Sequence, residues 1–245
     1  MKLLLDLGNT RLKWALCHGD VWRASGAVGW HENVAGTLAA AWLGQSRPEA
    51  VFGASVVDAP REASVAASVA SAFGREPYWL RTPAEACGVR NAYAEPQRLG
   101  VDRFLAMVAA RADGLAPCVL AGVGTALTLD ALAADGRHLG GLIAPGPRLM
   151  QQSLLGATAQ VRPAQAGAIV EAADNTADAV ASGCWLAAAA LIERFAARMA
   201  PALGGAPVLR LGGGDAEALL PLLNLPAQLA HDSVLHGLAV WAAAQ

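Results

Sequence analysis

Near its start the chain reads Leu3-Leu4-Leu5-Asp6-Leu7-Gly8-Asn9-Thr10-Arg11-Leu12-Lys13-Trp14-Ala15-Leu16, which suggests a strand, a tight turn and a second strand. Residues 3–5 form an apolar run of strand length. Gly8-Asn9 signals the turn, because both residue types tolerate positive φ. Leu12, Trp14 and Leu16 then alternate with Arg11, Lys13 and Ala15, as in a half-buried strand. The tip of this hairpin carries a carboxylate, two small polar side chains, a glycine and a cation. Such a set suits a nucleotide phosphate. Gly8 lets the backbone approach, the turn N–H groups with Asn9 and Thr10 can bond phosphate oxygens, and Lys13 can neutralise charge. Asp6 can hold Mg²⁺ directly or through water. The stretch alone reads equally well as an ordinary hairpin with a surface lysine.

Working outward, Cys17-His18-Gly19-Asp20 forms a second turn and residues 21–28 a third strand. A helix is expected over 31–43, a strand over 49–56, a helix over 60–73 and a short strand over 77–80. This order gives a mixed sheet flanked by helices. Residues 82–99 look irregular, with Pro83, Gly88 and Pro96 among Asn91, Tyr93, Glu95 and Arg98. Long loops in compact domains are often functional. Gly100-Val101-Asp102-Arg103 opens a helix to about residue 112, with Asp102 in the first turn, where the helix dipole favours a carboxylate. On composition alone Asp102 reads as a helix-start residue.

The opening pattern then returns. Residues 118–125, ending in Gly124-Thr125, parallel residues 3–10, and 126–132 parallel the second strand. Asp135-Gly136 is a turn, and 137–143 form a third strand. Gly124-Thr125 falls on the Gly8-Asn9-Thr10 region and Gly122 opposite Asp6. The repeat predicts two similar lobes, residues 1–113 and 114–245, facing one another across a cleft, each with a phosphate-binding hairpin. A short helix is expected over 145–155 and a loop over 158–172. Asn175-Thr176 caps a long helix over 177–199 that is apolar on more than one face. Such a helix must be covered, by the core or by a second subunit. A strand over 207–211 leads into Gly212-Gly213-Gly214-Asp215, which would let a flat ligand or phosphate reach the backbone. A helix over 231–244 closes the chain.

Composition narrows the classes. Of 245 residues, 55% are hydrophobic and 16% charged, as in a folded globular protein. The net charge of −2, with no basic run, gives no reason to expect nucleic-acid binding. Cys17, Cys87, Cys118 and Cys184 are scattered with no CxxC pair, so free thiols in a reducing cytosol are expected, not a zinc site or disulfide framework. The first apolar run meets Asp6 too soon for a signal peptide. No uncharged stretch is expected to reach the ~20 residues that span a bilayer. A cytoplasmic protein without membrane partners follows as the expectation.

Four motifs agree in order and spacing: Asp6-Leu7-Gly8-Asn9-Thr10 with Lys13; Gly100-Val101-Asp102-Arg103; Gly124-Thr125-Ala126-Leu127-Thr128-Leu129-Asp130; and Asn175-Thr176. Together they resemble the type III pantothenate kinases, some of which carry the older name Bvg accessory factor, in the superfamily of sugar kinases and actin. The resemblance implies an α/β fold of duplicated RNase H-like (actin-like ATPase) lobes. It implies ATP-dependent phosphorylation of pantothenate to 4′-phosphopantothenate, and a homodimer. By position, Asp6, Gly8, Asn9, Thr10 and Lys13 match the motif that grips ATP and its Mg²⁺. Asp102 matches the general base. Tyr93, Gly100, Val101, Asp102, Arg103 and Thr176 match pantothenate positions. Thr125 matches an ATP contact, and Gly212 and Gly213, with Gly214, look like the loop beside the adenosine.

The chemistry agrees. A primary alcohol attacks the γ-phosphorus through a loose transition state, so positioning and charge neutralisation dominate. A carboxylate must take the hydroxyl proton from about 3 Å, which Asp102 can do, with Arg103 beside it to bind a carboxylate or phosphate oxygen. Asp130 reads either as a residue closing its strand or as one facing the phosphates. One departure stands out. Many relatives carry an aspartate two residues before the second Gly-Thr, ligating K⁺ or NH₄⁺; here it is Gly122, so the cation requirement is expected to be weakened or absent. Two rivals remain: a kinase or phosphatase for another small molecule, against which the pantothenate positions argue, and a non-catalytic nucleotide sensor, against which Asp6, Lys13 and Asp102 argue.

Overall fold

A strand buried on both faces needs apolar residues at every position, and the first strand shows this. Leu3, Leu5 and Leu7 enter one core cluster and Leu4 another, on the opposite face. The computed structural model describes residues 1–19, 21–158 and 165–245. Asp20 of the expected second turn, and residues 159–164 of the expected loop, lie outside the described residues. The chain divides into two compact units, Met1–Gly114 with Asp232–Gln245, and Leu115–His231.

In the first unit the elements run β1 (Lys2–Leu7), β2 (Arg11–His18), β3 (Val21–Gly29), α1 (Val34–Trp42), β4 (Ala50–Ser55), α2 (Ala59–Phe73), β5 (Tyr78–Leu80), a minimal hairpin β6 (Glu85–Ala86) and β7 (Val89–Arg90), and α3 (Val101–Ala112). The sheet order is β3-β2-β1-β4-β5, antiparallel from β3 to β1 and parallel from β1 to β5. Helix starts follow their caps. Asn33 accepts from the Gly36 N–H and Asp58 from the Arg61 N–H, so α1 begins three residues later than its apolar pattern suggests. Gly74, at φ 59°, ends α2 in the left-handed conformation.

The second unit repeats the plan with β8 (Cys118–Val123), β9 (Ala126–Leu132), β10 (His138–Pro145), α4 (Pro147–Ala157), α5 (Thr176–Leu203), β11 (Val208–Gly212), α6 (Ala216–Leu219) and β12 (Ala227–Leu229). Its sheet order, β10-β9-β8-β11-β12, reproduces the first strand for strand. The duplicated α/β fold expected from the repeat is present. The last helix, α7 (Ser233–Ala243), belongs to the first unit, whereas the sequence division placed it with the second. The reason is packing. Leu235, Leu238 and Trp241 of α7 share a core with Leu4, Val101 and Leu105. A side chain at Gly237 would collide with the Leu105 backbone, and the Lys2 ammonium donates to the Ala242 carbonyl.

Helix α5 is long and apolar enough, by length and composition, to cross a membrane, although Asp178, Glu193, Arg194 and Arg198 interrupt its uncharged run. Its apolar residues Trp185, Ala188, Ala189, Ile192 and Phe195 recur at helical spacing and fill the core against β8 and β9. Pro201 sits on the exposed side, so the helix passes the expected end at Met199 and stops at Gly204, in the left-handed conformation. Sequence reading gave no signal for α6, the β6–β7 hairpin or the edge strand β12.

Candidate active site

Side chains alternate along β1, so Asp6 shares the face of Leu4, which α3 and α7 cover. Lys13 is its partner across the β1–β2 pair. The start of α3 brings Asp102 to this face, and the residue before α7 brings Asp232. The Asp6 carboxyl is raised to a pKa of about 7: burial is the largest cause, the nearby charges of Asp102 and Asp232 also push it up, and Lys13 pulls it down. The Lys13 ammonium donates to Asp232 Oδ1 at 2.8 Å. Among the described residues, no side chain or backbone group donates a hydrogen bond to the Asp6 carboxylate.

An open carboxylate among other acidic groups fits a divalent cation. No group of three or more His, Cys, Asp or Glu side chains suited to a metal occurs among the described residues. Magnesium commonly takes one or two carboxylates and completes its shell with phosphate oxygens and water, so a single carboxylate such as Asp6 is compatible with such an ion.

The hairpin tip differs from its sequence reading. Neither Gly8 nor Asn9 adopts positive φ. The register pairs Leu7 with Leu12, and residues 8–11 are enough to turn the chain without a left-handed residue. The Gly8 N–H donates to Arg11 O at 3.1 Å, and Gly8 O accepts from Trp30 Nε1 at 2.7 Å. The Gly8 amide is therefore committed to the turn, while exposed Asn9 and Thr10 form the tip.

Asp102 folds back over its own helix start, where Oδ1 accepts from the Arg103 N–H at 2.9 Å. A Cβ on Gly100 would lie 2.5 Å from that oxygen, so glycine gives the carboxylate its room. Arg103 is only 6% exposed, and its Nη1 donates to the Tyr93 hydroxyl at 3.3 Å. The loop holding Tyr93 is laced to itself. Thr82 Oγ1 donates to Leu99 O at 2.7 Å, Asn91 Nδ2 donates to Pro96 O at 3.0 Å, and Asn91 Oδ1 accepts from the Tyr93 N–H at 3.0 Å. Gly100, Val101, Asp102, Arg103 and Tyr93 are thus assembled by one loop and one helix start.

In the second unit, Gly122 and Thr128 pair where Asp6 and Lys13 pair in the first. A Cβ on Gly122 would meet Thr128 Oγ1 at 2.6 Å, so the hydroxyl fills the space an acidic side chain would need. Thr125 is exposed at the turn. Its carbonyl accepts from the Gly146 N–H at 2.9 Å, at the start of α4. Gly212 pairs with Gly122, and Gly213, at φ 97°, packs so close to Val123 that a side chain would strike the backbone. Thr125, Gly146 and the 212–215 loop thus form one glycine-lined surface, bordered by an ion pair between Arg148 Nε and Asp215 Oδ1 at 2.7 Å. Thr176 begins α5 beside Asn175, whose side chain accepts from the Asp178 N–H at 3.0 Å. It lines an open groove of about 710 Å³ with Met150, Leu154, Asn175, Val180 and Cys184. Asp130, within β9, is 3% exposed and lies 2.9 Å from His138 Nε2.

Sequence reading missed Asp232 and Arg148. Asp232 looks like a plain helix cap. Arg148 did leave a signal, since a cation in the first turn of a helix opposes the dipole and needs a partner.

The family model described as type III pantothenate kinase matches residues 2–198. The chain is 45% identical to the type III pantothenate kinase of Aromatoleum aromaticum over 98% of this chain and 97% of that one. It is 44% identical to that of Stenotrophomonas maltophilia over 99% and 97%. Among solved structures, it is similar to the activator of the 2-hydroxyisocaproyl-CoA dehydratase from Clostridium difficile with bound ADPNP, at a TM-score of 0.55 and 14% identity, covering 98% of this chain and 92% of that one. That likeness shows the fold alone, the one shared by actin-like ATPases and sugar kinases.

Proposed function

The chain belongs to the type III pantothenate kinase family and phosphorylates pantothenate with ATP for coenzyme A biosynthesis; we propose that Asp102 is the base of that reaction and Asp6 the carboxylate that meets the metal. One observation carries the assignment. Asp6 on β1 and Asp102 at the start of α3, far apart in sequence, lie close enough for the charge of Asp102 to act on Asp6. Their work divides by surroundings. Asp6, next to Lys13 at the phosphate turn, is placed for the cation and the phosphates. Asp102, next to Arg103 and through it Tyr93, is placed for the acceptor alcohol.

In this reading Asn9, Thr10 and Lys13 bind phosphate oxygens, with Gly8 shaping the turn. Thr125, Gly212 and Gly213 receive the nucleotide in the second unit. Tyr93, Gly100, Val101, Arg103 and Thr176 bind pantothenate, with Arg103 suited to its carboxylate. The Asp102 carboxylate accepts the proton of the primary hydroxyl as that oxygen attacks the γ-phosphorus. Lys13 neutralises charge that develops on the transferring group. Mg²⁺, when bound, would offset the phosphate charge that repels the attacking oxygen. The family resemblance supports a cytoplasmic homodimer, and Gly122 supports activity without a monovalent cation ligand at that position.

Coupled measurement of ADP release, with ATP, Mg²⁺ and pantothenate, tests the reading. Release that depends on pantothenate supports it. Release indifferent to pantothenate points to another acceptor, and no release at all points to a nucleotide-binding protein without turnover.

A further inference from the structure

Asp232 has a left-handed backbone, at φ 50° and ψ 28°, a region that aspartate and asparagine tolerate better than other non-glycine residues. It occupies the N-cap of α7, yet its side chain makes no capping hydrogen bond there. The carboxylate turns instead to the sheet and accepts from Lys13 Nζ at 2.8 Å, a contact between residues 219 positions apart. Lys13 has another anion within reach. Asp6 stands opposite it across the strand pair, where facing Cβ atoms are about 4.5–5.5 Å apart. Among the described residues, however, Lys13 bonds Asp232, and Asp6 accepts no hydrogen bond.

We propose that Asp232 is a positioning residue: it holds Lys13 away from Asp6 and so keeps the Asp6 carboxylate open for the cation that accompanies the nucleotide. This rests on the reading of Asp6 as the metal's carboxylate. Without the Asp232 charge, Lys13 pairs with Asp6 across the strands, and ammonium and divalent cation compete for the same oxygens. The Lys13 and Asp232 side chains are 32% and 42% exposed, so their pair adds little to folding stability. A positioning role is therefore separable from a structural one.

The test is calorimetric binding of ADP, with Mg²⁺ and with a chelator, to the wild type, Asp232→Asn, Lys13→Met and the double variant. The readout is the ratio of the two affinities, the gain due to Mg²⁺. In Asp232→Asn that gain falls about fivefold or more, the scale of a partly exposed ion pair, with the melting temperature nearly unchanged. In the double variant the gain returns, because no ammonium competes. Asp232→Gly suits the left-handed backbone and gives the same result should the asparagine variant not fold. A gain unchanged in a folded Asp232 variant, or lost and not restored in the double variant, overturns the proposal. Absence of any Mg²⁺ gain in the wild type removes the metal reading of Asp6 and this inference with it.

Discussion

Arg103 Nη1 donates to the Tyr93 hydroxyl at 3.3 Å, joining the start of α3 to the loop before it. Arg103 is nearly fully buried, so its substitution would disturb folding; Tyr93 is the better probe. Tyr93→Phe removes the acceptor and leaves the ring. We predict a KM for pantothenate raised about 3–10-fold, the scale of one hydrogen bond to a charged group, with kcat within about threefold. An unchanged KM would remove the pair from pantothenate binding.

Asp102→Asn keeps shape and hydrogen-bonding capacity but cannot take a proton. Turnover should fall by about 10²–10⁴-fold, while ATP affinity measured by calorimetry stays near that of the wild type. A variant of near wild-type rate would show that another group is the base.

Asp6 gives a pH signature in the absence of metal and nucleotide. Burial and its acidic neighbours push its carboxyl up to about 7 in the folded protein, from the ordinary aspartate value of 3.8. The folded state thus binds the proton more tightly than the unfolded state. Stability from this group is complete below about pH 4 and is lost as pH rises through 7. Asp6→Asn does not titrate. Its melting temperature relative to the wild type should therefore climb between pH 4 and 7 and level off above. A difference constant across that range would refute the assignment.

Two glycines separate folding from binding. At Gly213, φ is 97° and a Cβ would strike the Val123 backbone, so Gly213→Ala should destabilise by about 1–3 kcal/mol and lower the melting temperature. At Gly8 a Cβ meets Arg11 O at 3.4 Å, an ordinary contact. Gly8→Ala should melt like the wild type and bind ATP less well. Equal melting losses in the two variants would contradict this.

Replacing K⁺ by tetramethylammonium should change the rate little, because Thr128 Oγ1 occupies the space beside Gly122. Collapse of activity without K⁺ would mean that other groups ligate the ion.

The fold was legible where hydrophobic pattern is dense. The run from Leu3 to Leu7, the alternation after it and its return at Cys118 dictate two sheets of one plan. Asp102 and Arg103 were readable because a helix start places them. Asp232 was not: its meaning depends on Lys13, at the other end of the sequence, and no local pattern reports a partner so distant. Leu225-Pro226-Ala227-Gln228-Leu229 lacks β-branched residues, so β12 left no trace; its parallel pairing with β11 makes it a strand.

The return of the chain at Asp232 to the first unit has a consequence for biosynthesis. A ribosome finishes α3 early, but the helix that covers it emerges only after the whole second unit. Until then the Leu105 face of α3 has no α7 to cover it, and Lys13 lacks its counter-ion. The first unit therefore exposes apolar surface until residues 232–245 pack onto it, which completes both its core and the Lys13–Asp232 pair.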